Sequence, residues 1–436
     1  MCIGALTMDQ KAFVELEEAV FDELAGKLGG VKGTDLDKYI ESVAKSKNPA
    51  LSKEDISRII KDAKLFDPID KYLDDESIED IMINNTSDIF VYRSGTGQEK
   101  VSEKLNDRQA LDMLVRKCRM YVTEGKPDNK ILDLHLPNGS RANIVDSPLG
   151  ADITIRNFKK NALSIIDMVN AGEFSYNMAG RLWIYAEGLR VRPANLVIGG
   201  MPGSGKTTLL NAMFSFFRPE QRVVVIEDTY EINTETQENC VRLETSAEVS
   251  MQDLVKNSLR MRPDMIIVGE VRGEEAKDMM TAMNIGKICM STIHASTARD
   301  VVTRLQHTPM DIEKDIIPLI DAIIIVTQVN DGGASRRKIT QVSEVAGIES
   351  QVLLSDLYTY DYKTHKSSDI LPSVTYRDTL AKLTGVPPTG IIAEERNRGK
   401  ILEKLNGLGI RDIKSINEFC REYYDNPERA MKKIGL

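Results

Sequence analysis

The run Gly200-Met201-Pro202-Gly203-Ser204-Gly205-Lys206-Thr207-Thr208 has the spacing Gly-x4-Gly-Lys-Thr of a phosphate-binding loop. Glycines let the backbone turn so tightly that successive N–H groups face one point. A helix opening near Gly205 adds the positive end of its dipole. The Lys206 ammonium is suited to β- and γ-phosphates, and the Thr207 hydroxyl to Mg²⁺. Gly200, Pro202, Gly203, Ser204, Gly205, Lys206, Thr207 and Thr208 are therefore the candidate nucleotide contacts, with ATP and Mg²⁺ as the expected ligands. A phosphate loop alone does not say what the released energy does.

Three further groups fit chemistry at a terminal phosphate. Met265-Ile266-Ile267-Val268-Gly269-Glu270 reads as an apolar strand delivering a carboxylate to the end of a sheet, in the manner of a Walker B strand. Glycine stands where the penultimate aspartate is usual, so Glu270 is the candidate to orient or activate water. The segment 225–232 supplies Glu227, Asp228 and Glu231, any of which suits the hydration shell of a hard cation. Glu227 is carried forward as the metal candidate and Glu231 as a catalytic one. His294 follows the strand-like 288–292 and is a candidate sensor of the γ-phosphate.

The elements that must hold these residues are legible as hydrophobic patterns. Phe13, Leu16, Val20, Leu24 and Leu28 recur at helical spacing, and Ser52 with Asp55 forms a variant capping box before another helix. Short strands are expected at 81–83, 89–92, 142–145 and 152–156, with a helix around 111–118. A helix over 177–188 leads to the loop strand. Strands at 222–226, 265–268, 288–292 and 322–326 then alternate with helices at 252–261 and 274–284, the signature of a parallel sheet. Residues 352–362 read as β and the remainder as helices ending near Met431.

The chain has 436 residues, a length that suits about three domains. Its net charge of −9 and its 6% aromatic residues supply neither the basic footprint nor the stacking platforms of a nucleic-acid translocase. Such a RecA-like translocase is the alternative reading, and no nucleic-acid partner is expected. No apolar stretch reaches transmembrane length, and the opening residues lack the basic start of a signal peptide. Translation starts at Met1 or Met8. The five cysteines, Cys2, Cys118, Cys240, Cys289 and Cys420, are scattered without a Cys-x-x-Cys pair, which fits reduced thiols rather than zinc or a disulfide framework.

Taken together the motifs resemble the secretion ATPase superfamily of type II and type IV secretion, type IV pilus and archaellum assembly. The matching boxes run in order: 200–207, 226–232, Gly269-Glu270-Val271-Arg272-Gly273 and 291–295. Asp80-Ile81-Met82-Ile83-Asn84 resembles the motif that opens the family's N-terminal domain, and Arg141 with Arg156 resembles its arginine pair. The resemblance implies an α/β fold. A RecA-like P-loop ATPase domain (166–345) would follow a smaller α/β, PAS-like N-terminal domain (66–165) and a helical extension (1–65), with a C-terminal β/helical subdomain over 346–436. It implies a homohexameric ring, cytoplasmic and peripheral to the membrane, working with a polytopic membrane platform on pilin-like or secreted substrates. It implies that Arg141 and Arg156 reach the phosphates, that Arg304 is a ring-interface candidate, and that Arg262 and Arg272 pair with acidic groups. The chain departs from the pilus-extension branch in lacking a four-cysteine zinc module, and Gly286-Lys287 replaces a common Gly-His step. It looks closest to the tight-adherence pilus, conjugation-type and archaeal branch.

Overall fold

Period-two alternation of apolar residues builds the first of two sheets. The computed structural model describes residues 9–29, 31, 34–93, 96–123, 125–157, 162–246, 248–331 and 334–436. Met1, Cys2 and Met8 lie outside them. The chain divides into two compact units, Met1–Asn161 and Ala162–Leu436.

In the first unit, α1 (Gln10–Leu24), α2 (Thr34–Lys47), α3 (Lys53–Lys64) and the short α4 (Asp70–Leu73) precede β1 (Ile78–Ile83), β2 (Ile89–Arg93) and β3 (Gly97–Lys100). After α5 (Arg108–Arg119) come β4 (Ile131–His135), β5 (Arg141–Ser147) and β6 (Gly150–Arg156). The sheet has the order β3-β2-β1-β6-β5-β4 and its strands pair antiparallel. Alternation turns Ile81, Ile83, Val91, Leu132, Leu134, Ile144, Ile153 and Ile155 into a core shared with Phe13, Val20 and Leu24 of α1, Ile59 of α3 and Leu114 of α5. The helices of 9–65 thus share one core with the sheet. Ser52 and Asp55 form the reciprocal cap of α3, with the Asp55 amide donating to Ser52 Oγ at 3.0 Å. On the other face of the sheet Asp133, Arg141, Thr154 and Arg156 are exposed.

The second unit begins with α6 (Ile165–Asn170) and α7 (Tyr176–Glu187), then β7 (Leu196–Gly199), α8 (Lys206–Met213), β8 (Val223–Glu227), β9 (Cys240–Glu244) and α9 (Met251–Ser258). It continues through β10 (Met265–Val268), α10 (Glu275–Asn284), β11 (Ile288–Ile293), α11 (Ala298–Gln306), β12 (Ala322–Asp331), β13 (Ala334–Ile348), β14 (Val352–Asp361) and β15 (Lys366–Asp369). It closes with α12 (Thr375–Thr384), α13 (Pro388–Gly407), α14 (Ile413–Asp425) and α15 (Pro427–Ile434). Strands β12, β7, β11, β10, β8 and β9 lie side by side and parallel; β13, β14 and β15 extend the β12 edge antiparallel.

Strands covered on both faces read as unbroken apolar runs, and β7, β8, β10 and β11 are buried throughout. Leu196, Ile198, Val225 and Ile267 face α7, α8 and the C-terminal helices. Val197, Val224, Ile266 and Val268 face α9, α10 and α11. The segment 346–436 belongs to this same unit, since β14 pairs with β13 and α13 packs on α7. That last contact is close enough to exclude side chains: a Cβ at Gly180 would lie 2.2 Å from the Glu395 carbonyl oxygen, and one at Gly399 2.7 Å from that of Tyr176.

Five strands escaped the sequence reading: β3, β4, β9, β13 and β15. The edge strand β9 is only half-buried, and β13 opens with the polar run Ser335-Arg336-Arg337-Lys338; ladder bonds to β8 and β12 hold them where apolar pattern does not. For the same reason β12 runs on to Asp331. Cys118, Cys240, Cys289 and Cys420 are free thiols, and among the described residues no helix is long and apolar enough to cross a membrane.

Gly180→Val should destabilise the protein by about 2–3 kcal/mol, as overpacking against backbone does. Urea unfolding followed by circular dichroism checks this; an unchanged midpoint would show that the α7–α13 crossing is not tight.

Candidate functional site

Parallel pairing brings the carboxyl ends of β7, β8, β10 and β11 to one edge of the sheet. Gly199 pairs with Ile293, Val268 with Ser291 and Val268 with Ile226. The loop 200–205 leaves β7 there and enters α8 at Lys206. Gly203 (φ 74°) and Gly205 (φ 100°) occupy the left-handed region that favours glycine. Gly200 is glycine for space: a Cβ there would sit 2.3 Å from Ser204 Oγ and 2.5 Å from the Val326 carbonyl oxygen. Ser204 Oγ is buried and makes no hydrogen bond within the protein.

Lys206 is buried, and its Nζ donates to the carbonyls of Gly200 (2.9 Å) and Met201 (3.3 Å). Loss of water pushes its pKa down, while the charges of Glu270 and Glu231 pull it back up. Its Nζ also lies 3.4 Å from His294 Nδ1, and His294 Nε2 lies 3.0 Å from Glu270 Oε1. An ammonium only donates, so Nδ1 accepts from Lys206 and Nε2–H donates to Glu270. Three residues from three chain segments are thereby lined up: Lys206 at the start of α8, His294 after β11 and Glu270 after β10. The strand order explains why, because β11 lies between β7 and β10.

The acidic segment divides its work. Glu227 is buried at the end of β8; its Oε1 accepts the amides of Glu231 and Ile232, each at 2.9 Å, and its Oε2 lies 3.6 Å from Arg242 Nη2. Burial pushes its pKa up to about 7, against the pull of those amides and of Arg242. The carboxylate expected at the metal thus holds the following loop in shape. Asp228 is paired with Arg272 and accepts from Thr245 Oγ1 at 3.0 Å. Glu231 is exposed, and its carbonyl accepts from Asn211 Nδ2 at 3.1 Å. Asn211 Oδ1 accepts the Asn233 amide at 2.7 Å, so α8 fastens this loop directly. Asn211 was missed in the sequence, although a polar residue within Leu209-Leu210-Asn211-Ala212-Met213 is a visible signal.

Gly269 acquires a reason here. A Cβ at this position would lie 3.1 Å from Glu227 Cγ and 3.4 Å from the Ile226 carbonyl oxygen. Thr207 and Thr208 are partly exposed in the first turn of α8. Hydroxyl and carboxylate oxygens are the hard donors Mg²⁺ takes, and a glycine loop at a helix N-terminus suits a polyphosphate.

In the first unit Arg141 of β5 is the cross-strand partner of Arg156 of β6, and Arg156 in turn that of Asp80 of β1. Arg156 Nε lies 3.2 Å from Asp80 Oδ1, and Arg141 Nη2 lies 3.4 Å from Asp133 Oδ1. The residues singled out in this half of the sequence therefore share one row on the exposed face of the sheet.

A profile for the family described as type II/IV secretion system protein matches residues 62–357. The chain belongs to this family. An uncharacterized protein of Methanocaldococcus jannaschii, MJ0781, is 38% identical over 230 residues, covering 49% of this chain and 31% of its own length. The conjugal transfer protein TrbB of Rhizobium radiobacter is 31% identical over 292 residues, covering 64% of this chain and 85% of TrbB. The chain thus spans about a third of MJ0781 but most of TrbB. The crystal structure of the pilus retraction motor PilT with bound ADP shares the fold at a TM-score of 0.50 and 16% identity, over 85% of this chain and 96% of that one.

Gly269→Asp, which would restore the usual Walker B aspartate, should be harmful in this chain. The new carboxylate presses on Glu227, and overpacking of this kind costs about 1–3 kcal/mol. Thermal melting and nucleotide turnover should both fall; a variant as stable and active as the parent would refute the fit described for Gly269.

Proposed function

We propose that this chain is the ATP-hydrolysing subunit of a homohexameric motor that powers type II/IV-type secretion or pilus-like filament assembly at the inner face of a membrane. The observation that carries the reading is the line Lys206–His294–Glu270 beside a glycine loop of phosphate-binding shape. Family membership supports it, and does not favour the nucleic-acid translocase. A polytopic membrane platform and pilin-like or secreted substrates are its proposed partners.

The proposed division of labour follows from the donors and acceptors present. The loop amides of Met201, Gly203 and Gly205 bind the phosphates, and Lys206 leaves its carbonyl acceptors for the β- and γ-phosphate oxygens. Glu270 accepts a proton from, or orients, the water that attacks the γ-phosphate. His294, donating through Nε2, fixes the Glu270 carboxylate and reports through Nδ1 on where the Lys206 ammonium sits. Thr207 and Glu231 would hold Mg²⁺ and its waters, with Glu227 ordering the Glu231 loop; the cation would supply charge neutralisation at the phosphates. Arg141 and Arg156 are assigned, by the family resemblance, the neutralisation of phosphate charge.

Lys206→Ala and Glu270→Gln should both reduce ATP turnover by about a hundredfold or more, by different routes. The first weakens nucleotide binding; the second leaves ATP bound and uncleaved. Phosphate release and equilibrium binding, measured on the same preparations, separate them. Full phosphate release by Glu270→Gln would reject its assigned role. Light scattering with ATP that finds only monomer would reject the ring.

A further inference from the structure

The flank of the phosphate loop away from His294 carries a contact that the proposed mechanism does not use. When amides of a loop turn inward, carbonyls turn outward, and an outward carbonyl near protein needs a donor. The Gly203 carbonyl receives Arg337 Nε at 3.2 Å. The Ser204 amide, in the same peptide plane, donates to the Met201 carbonyl at 3.1 Å. Both ends of the 203–204 plane are therefore tied, one inside the loop and one to β13.

The Arg337 stem also fills the space that Gly205 leaves: a Cβ at Gly205 would lie 3.1 Å from Arg337 Cδ and 3.9 Å from Val326 Cγ1. Glu173 is buried, its carbonyl accepts the Ile339 amide at 3.1 Å, and the charges of Arg337 and Lys338 act on its carboxylate. Lys338 Nζ donates to the Gly172 carbonyl at 2.5 Å, fastening the same segment to the same strand. Strand pairing with β12 sets Arg337 opposite Gln328, so its height along the sheet is fixed by the ladder. Between Gly203 and Gly205, both in the left-handed region, the loop has little intrinsic resistance to rotation of that plane.

We infer that Arg337 is a positioning residue for nucleotide binding: it locks the 203–204 peptide plane of the phosphate loop from outside the cradle. This rests on the nucleotide-binding reading above. It makes a specific claim about affinity. A loop that arrives already shaped binds phosphate without the cost of ordering, so loss of Arg337 raises KM and Kd and leaves the chemical step largely alone.

The test uses the full chain with Mg²⁺-ATP turnover and with ADP binding by calorimetry. Arg337→Ala should raise KM for ATP and Kd for ADP together by about tenfold, the equivalent of one charged hydrogen bond, with kcat within about twofold. Arg337→Lys, which keeps a cationic donor, should recover part of the loss. Arg336→Ala, the exposed neighbour whose side chain alternates to the other face, should match the parent. Arg337→Gln keeps much of the stem against Gly205 and guards against misfolding; a shift in the same direction is expected. Unchanged KM and Kd in Arg337→Ala or Arg337→Gln overturn the inference, as does an equal shift in Arg336→Ala, which would reduce the effect to general surface charge. A parent chain that binds no ADP overturns both this inference and the motor reading; a parent that binds ADP as tightly as its Arg337 variants overturns this one alone.

Discussion

An ammonium taken out of water must be given acceptors, and the second unit is arranged around that requirement at Lys206. The residue is buried at the head of α8, where the helix offers amide donors rather than acceptors. Its hydrogens go to the Gly200 and Met201 carbonyls and toward His294. Desolvation works against the charge and the two carboxylates of Glu270 and Glu231 work for it. Each of those groups stands at the carboxyl end of a different strand or on a loop leaving one. A parallel sheet in register is therefore the condition for the charge balance, because a slip of one residue would turn these side chains to another face.

Space is the second constraint, and glycine meets it wherever two backbones or a backbone and a functional group must nearly touch. Gly200 admits Ser204 and the Val326 carbonyl; Gly269 admits Glu227; Gly180 and Gly399 let α7 and α13 close on each other. The glycine in place of the usual Walker B aspartate is thus explained locally. Glu227 needs the room, and by accepting two loop amides it shapes the segment that carries Glu231.

Much of this was legible in the sequence for a physical reason. Strands buried on both faces show as apolar runs, so β7, β8, β10 and β11 stood out, and the residues at their ends could be nominated as a group. The reciprocal cap of α3 was equally plain, because a serine followed by an acid three residues on satisfies amides that any helix start must satisfy. What escaped notice depends on partners that the local apolar pattern does not announce. Strand β13 is polar where it passes the phosphate loop, and its existence rests on β12. Glu227 was nominated for the metal from its residue type and position; the Glu231 and Ile232 amides on its Oε1 and Arg242 near its Oε2 are contacts that residue type alone does not display. Arg337 lies 134 residues from the carbonyl it holds, and no local pattern connects them.

The arginine row of the first unit poses the opposite problem, since local energetics argue against it. Like charges directly opposite each other in a sheet are unfavourable, yet Arg141 and Arg156 face each other across β5 and β6. Each approaches a carboxylate, Asp133 and Asp80, but both arginines are exposed, and exposed pairs are worth about 0–1 kcal/mol. Fold stability alone would favour an acid at one of the two positions. Two adjacent guanidinium forks, on a face whose reverse side is fully committed to the core, instead concentrate donors of the geometry that phosphate oxygens accept. The row therefore gathers cationic donors on one exposed face of the sheet, while the opposite face holds the core.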